Sequence, residues 1–160
     1  MDRYFEKISF ERFSLDVKND RKLYDEYKLP RRASKNSCGY DFLAMEDYII
    51  HPGEIKKIPT GYKSKFLSDE MLMIVVRSSM GFKYNVRMCN QVGVIESDYY
   101  NNISNEGHMW VALQNEGDKD YIINKGDAYA QGIFIKFLTC GDNPEEERIG
   151  GLGSTNKGDW

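Results

Sequence analysis

Apolar and polar positions change texture along this chain at Cys38. Upstream, residues 1–36 are polar and mixed in charge. Ile8-Ser9-Phe10 alternates as a short strand would, and residues 15–27 fit only a short, weakly stabilised helix or turn. Proline disfavours helix at the residue before it, so Leu29-Pro30-Arg31-Arg32-Ala33-Ser34 reads as extended. Downstream, short strand-like runs alternate with turn residues. Residues 40–44 and 48–50 precede the turn His51-Pro52-Gly53-Glu54, and residues 55–58 precede a second turn, Pro59-Thr60-Gly61. Residues 71–76 form an unbroken apolar run suited to burial on both faces. Residues 109–113, 121–123 and 130–137 continue the series. Many short strands, frequent turns and almost no helical period predict an all-β fold, a barrel or jelly roll.

Length and charge narrow the field. At 160 residues with 41% hydrophobic content, the chain suits one buried core, so residues 1–160 are expected to form a single domain. Residues 1–36 read as an N-terminal extension of that domain. A formal charge of −3 argues against a nucleic-acid binder that works by counterion release and against a polybasic membrane anchor. No apolar stretch reaches the roughly 18 residues of a membrane span, and the charged first residues lack a signal-peptide core. Cys38, Cys89 and Cys140 are odd in number and widely spaced, which speaks against a disulfide framework or a zinc site and favours a reducing cytoplasm.

The densest chemistry lies in residues 90–99, Asn-Gln-Val-Gly-Val-Ile-Glu-Ser-Asp-Tyr. A β-branched run interrupted by glycine predicts two short strands folding back at a bend, where backbone N–H and C=O groups stay open to a ligand. Such a hairpin is suited to pairing with a planar base. Three other patches carry weaker signals. Arg77-Ser78-Ser79-Met80-Gly81 sets a guanidinium, two hydroxyls and turn N–H groups at the end of the apolar run, as a phosphate cradle or as a polar turn with a capping serine. Gly126-Asp127-Ala128-Tyr129-Ala130-Gln131-Gly132 is a tight turn into a strand, in which Gln131 either donates to a phosphate or satisfies a sheet edge. The tail Gly150-Gly151-Leu152-Gly153-Ser154-Thr155, with Arg148 upstream, either folds over an anion through its amides or stays mobile. The Arg31-Arg32 pair reads first as solvated charge.

Together with Gly39-Tyr40-Asp41-Phe42-Leu43-Ala44, these patches form five motifs whose order resembles the trimeric dUTPase family, from about position 38 to the end. The resemblance implies a distorted jelly-roll-like barrel with a flexible Gly-rich C-terminal arm at 148–160, and a homotrimer with active sites at subunit interfaces. It also implies hydrolysis of dUTP to dUMP and pyrophosphate with Mg²⁺. Asn90 and the backbone of Val94 and Ile95 would read uracil, Tyr99 would pack under the deoxyribose, and Glu96 would be the general base that activates water. Arg77, Ser78, Ser79, Gln131, Arg148, Ser154 and Thr155 would hold phosphates, with Leu152 and Gly153 in the closing arm. No direct protein ligand to the metal is implied. Asp41 would meet the hydrated ion through water, and is equally placed as a structural acceptor.

Three departures stand out. Glu96 replaces the usual Asp, moving the carboxylate by about 1.5 Å, a displacement that can cost on the order of 100-fold. Leu152 replaces an arm aromatic, and Ala128 a common Arg. His108, in a long loop at 101–108, reads as a turn or packing residue before a catalytic acid. The alternatives are a non-catalytic or weakly active dUTP-binding member and a dCTP deaminase-like enzyme.

Overall fold

A computed structural model describes residues 2–141 and 144. The strands are β1 (Tyr4–Lys7), β2 (Arg31–Arg32), β3 (Tyr40–Leu43), β4 (Tyr48–Ile50), β5 (Ile55–Pro59) and β6 (Tyr62–Lys65). They continue as β7 (Glu70–Val75), β8 (Val86–Met88), β9 (Gly93–Glu96), β10 (Trp110–Asn115), β11 (Tyr121–Ile123) and β12 (Ala128–Lys136). Three short helices join them: α1 (Phe10–Asp16), α2 (Arg21–Glu26) and α3 (Ser78–Tyr84). The chain is thus mostly β, a distorted jelly-roll-like barrel. Among the described residues no helix is long and apolar enough to cross a membrane.

The largest sheet has the antiparallel order β2-β3-β12-β7-β9. Smaller sheets pair β5-β10-β8, β1-β6 and β11-β4. Phe42, Ile58, Leu72, Leu113 and Tyr129 pack into one core, which also takes in Ile8, Phe13, Leu23 and Tyr27 from the N-terminal segment.

Strand β7 departs from the expected burial on both faces. Glu70, Leu72 and Ile74 are buried, but Met71, Met73 and Val75 are only half-buried. Side chains of directly paired residues share a face of the sheet. The register therefore extends the open face in rows: Ile133, Met73 and Val94, then Ile135, Met71 and Glu96. A third row holds Asp41, Gln131 and Val75. Period two along the chain thus builds an apolar surface with a carboxylate and an amide at its opposite ends.

The N-terminal expectations also change. The strand lies at Tyr4–Lys7, paired with β6, and Phe10 opens a helix instead. Ser9 Oγ caps α1 by accepting the Arg12 N–H at 3.1 Å, and Asp20 Oδ1 caps α2 by accepting the Leu23 N–H at 2.9 Å. Helices of seven and six residues are too short to persist alone, so packing must hold them. Phe13 stacks on Tyr27 with centroids 5.4 Å apart and planes 7° from parallel, a contact worth ~0.5–1.5 kcal/mol beyond area burial.

Residues 90–99 do bend, but not as a paired hairpin. Strand β8 joins β10 while β9 joins β7, so the two enter different sheets. The Gln91 N–H closes the turn on the Met88 carbonyl at 3.0 Å, with Gln91 at φ 60°. Gly93 then lets β9 approach β7, since a Cβ there would lie 3.1 Å from Ile74 Cβ.

Candidate functional site

Because β8 and β9 diverge, a cleft of ≈ 130 Å³ opens between their sheets. Asn90, Val94, Ile95, Glu96 and Tyr99 line it, together with Met88, Met109 and Trp110. Strand β9 is the last of its sheet, so the N–H and C=O groups on its outer edge face away from β7. The structure thus brings together the proposed base reader, sugar wall and carboxylate from residues 90–99. Glu96 stands at the end of β9, half-buried, opposite Met71.

Tyr99 sits in a short 3₁₀ turn after β9, and its hydroxyl is fixed on both sides. It donates to the His108 carbonyl at 3.1 Å and accepts from Asn105 Nδ2 at 2.8 Å. The loop at 101–108 is therefore the support of Tyr99. Gly107 is essential to its path: at φ 81°, a Cβ there would come 2.6 Å from the Tyr99 carbonyl oxygen.

His108 is fully buried and spends its ring on structure. Its Nε2 accepts the Gly61 N–H at 3.0 Å, and its Nδ1 lies 2.5 Å from Asp16 Oδ2. An accepting Nε2 requires the neutral ring, with the proton on Nδ1 donated to Asp16. Burial lowers the His108 pKa and outweighs the opposing pull of the Asp16 carboxylate. Burial acts against the Asp16 carboxylate as well, but hydrogen bonds from Arg12 and His108 hold its pKa below the ordinary value. The packing reading of this histidine agrees with the geometry. Its ring also lies 5.2 Å from that of Trp110.

A second cluster gathers the remaining motifs. Asp41, Gln131 and Val75 lie side by side across β3, β12 and β7, and Arg77 follows directly at the start of α3. Arg77 Nε lies 3.5 Å from Asp41 Oδ1, so the two side chains form an ion pair. Gln131 Nε2 donates to the Val76 carbonyl at 3.3 Å, and Gly39 leaves the space that its amide fills. Arg77, Ser78 and Ser79 are exposed. None of Arg77, Ser78, Ser79 or Gln131 lines the cleft. Arg148, Leu152, Gly153, Ser154 and Thr155 fall outside the described residues. Arg31 and Arg32 are exposed, and Arg32 donates to the Lys35 and Ser37 carbonyls.

Sequence reasoning missed Trp110, whose only signal was an aromatic at a strand start, and it missed the support that the 101–108 loop gives Tyr99. A larger hollow of ≈ 470 Å³ lies beside α2, lined by Lys18, Asp20, Glu46 and Lys125 among others. Its charges are met within the chain, Lys18 by Glu46 and Lys125 by Glu26, and it contains none of the motif residues. Among the described residues no group of three or more His, Cys, Asp or Glu side chains is placed to hold a metal.

Comparisons with known proteins converge on one family. The family model described as dUTPase matches residues 25–159. A deoxyuridine 5'-triphosphate nucleotidohydrolase of Lactococcus lactis is 45% identical over 130 residues, covering 79% of this chain and 87% of that protein. The Haemophilus influenzae protein of the same description is 36% identical over 154 residues, covering 89% and 97% respectively. Among solved structures, the dUTPase from Streptococcus mutans superposes with a TM-score of 0.68 at 33% identity, over 86% of this chain and 98% of that one.

Proposed function

Since this chain belongs to the dUTPase family, we propose that it hydrolyses dUTP to dUMP and pyrophosphate, with uracil held in the cleft between β8 and β9. The observation that carries this reading is the convergence of Asn90, the β9 edge, Glu96 and Tyr99 on that one cleft. Backbone N–H and C=O groups at Val94 and Ile95, with the Asn90 amide, pair with the uracil edge. A cytosine in the same place would leave those polar groups unpaired, which is the strong form of discrimination. Tyr99, its hydroxyl fixed by Asn105 and His108, lies under the deoxyribose and leaves no room for a 2′-hydroxyl. Glu96 orients a water and takes its proton as that water attacks the α-phosphorus, and pyrophosphate departs.

The phosphates fall to Arg77, Ser78, the Ser79 N–H and Gln131, with Arg148, Ser154 and Thr155 from the arm. Within one chain the Arg77 and Gln131 cluster does not line the cleft, which supports an assembly in which one subunit's cleft meets another's phosphate residues. The apolar outer face of β7 and β12 supports the same assembly, a homotrimer that buries Met71, Met73, Ile133 and Ile135. The donor set suits Mg²⁺ that enters on the triphosphate, because this ion keeps several waters and needs few protein ligands. Asp41, beside Arg77, would meet it through water, and the bound ion would neutralise phosphate charge. The spaced cysteines and modest net charge suit a cytoplasmic enzyme.

The comparisons do not favour the non-catalytic or deaminase alternatives. The test is a nucleotide panel of dUTP, UTP, dCTP and dTTP with Mg²⁺. Pyrophosphate from dUTP alone is the expected result. Tight dUTP binding without turnover, or ammonia from dCTP, would overturn it.

A further inference from the structure

The 101–108 loop is held from outside by α1, while Lys63 of β6 reaches Asn101 Oδ1 at 2.6 Å. The Ser9 N–H, at the cap of α1, donates to Glu106 Oε2 at 3.0 Å, and its hydroxyl bonds the other carboxylate oxygen. Arg12 Nη1 donates to the Ser104 carbonyl at 3.1 Å, while its Nε and Nη2 grip both oxygens of Asp16 at 2.8 and 2.5 Å. Asp16 in turn accepts the Nδ1–H of buried His108. The loop passes this hold to Tyr99, through the His108 carbonyl and Asn105. A two-oxygen guanidinium grip on a carboxylate fixes direction as well as distance, so Asp16 cannot swing without moving the imidazole. His108 cannot shift without losing the Gly61 N–H, a buried donor whose orphaning is costly.

We propose that Asp16 and His108 are positioning residues for the sugar wall of the cleft: by locking the 101–108 loop to α1, they set where Tyr99 stands and thereby how strongly the site refuses a ribonucleotide. The proposal rests on the reading of Tyr99 given above. Neither side chain lines the cleft, so they act through Tyr99 and its loop. A relaxed clamp should widen the space under the ribose without moving Glu96, because β9 is anchored on β7 instead. Discrimination against UTP should then fall and KM for dUTP rise, while kcat is kept.

The test compares kcat/KM for dUTP and UTP in the full-length protein with Asp16→Asn, Arg12→Gln, Tyr99→Ala and the Asp16→Asn/Tyr99→Ala pair. Asp16→Asn keeps an acceptor for His108 but loses the ionic grip. Arg12→Gln loosens the same carboxylate from a part-exposed position and serves if the first variant fails to fold. Either single change should lower the dUTP preference roughly threefold to tenfold, the weight of one weakened charged hydrogen bond. In the Tyr99→Ala background, Asp16→Asn should have no further effect. Folded single variants with unchanged preference, or an effect that adds fully onto Tyr99→Ala, would overturn the proposal. If Tyr99→Ala itself left the preference intact, the assignment of Tyr99 as the sugar wall would fall, and the clamp's role with it.

Discussion

Asp16 and His108, 92 positions apart in sequence, meet at 2.5 Å between carboxylate oxygen and imidazole Nδ1. The contact welds the first helix to the loop that supports Tyr99. It also makes stability depend on pH in a definite direction. The groups facing the ring are Asp16, Arg12 and Glu106, and the dominant influence is burial, which lowers the folded pKa below the ordinary 6.5.

An unfolded histidine therefore takes up a proton that the folded one refuses. Stability from this site is complete above about pH 6.5 and is lost as pH falls toward the lower folded pKa. Thermal melts at pH 7.5, 6.5 and 5.5 should show a falling midpoint, roughly 2–4 °C for each kcal/mol lost in a domain of this size. His108→Gln, which has no proton to gain, should start lower and show a flatter slope over that range. Parallel slopes would place the titration elsewhere.

Gly107→Ala tests the same loop from its backbone. The residue sits at φ 81° and a new Cβ would press on the Tyr99 carbonyl and the Tyr100 Cα, which are main-chain atoms that cannot rotate away. A left-handed conformation alone costs ~1–2 kcal/mol for a residue with a Cβ, and the collision adds to it. Urea denaturation should therefore show a loss of about 2 kcal/mol or more, accompanied by a higher KM for dUTP.

These contacts also show what the chain disclosed in advance and what it withheld. Residues 90–99 were legible because the cleft's polar groups are neighbours in sequence, needing only a bend to converge. The Asp16–His108 pair was not, because nothing local distinguishes a helix aspartate whose partner lies far along the chain. Helices α1 and α2 were under-read because their stability comes from contacts such as Phe13 on Tyr27 rather than from their own propensity. The reading of 71–76 as buried on both faces failed for an instructive reason. Met71, Met73 and Val75 are apolar, but their face is left partly open within a single chain.

That open face yields a prediction about assembly. Met73 lies in one row with Ile133 and Val94, so Met73→Asp would set a charge in the middle of the proposed trimer contact. Burying an unpaired carboxylate costs several kcal/mol, while a half-exposed site in the monomer tolerates it. Light scattering should fall from three chain masses to one with the far-ultraviolet circular dichroism unchanged, and dUTP turnover should disappear. A trimeric, active Met73→Asp protein would move the interface to another face.

Glu96→Gln isolates the chemical step. It keeps the side chain's size and hydrogen-bonding reach but removes the proposed base, so kcat should drop by about 10²–10⁴-fold with dUTP affinity by calorimetry little changed. Equal losses in binding and turnover would instead mark Glu96 as a substrate contact.

A crystal of the full chain soaked with a nonhydrolysable dUTP analogue and Mg²⁺ would show the base, the sugar and the attacking water together. Uracil should lie between β8 and β9, its edge paired to Asn90 and the Val94–Ile95 backbone, its sugar on Tyr99, and a water held by Glu96 in line with the α-phosphorus. A base bound elsewhere, or a Glu96 carboxylate with no such water in reach, would contradict it.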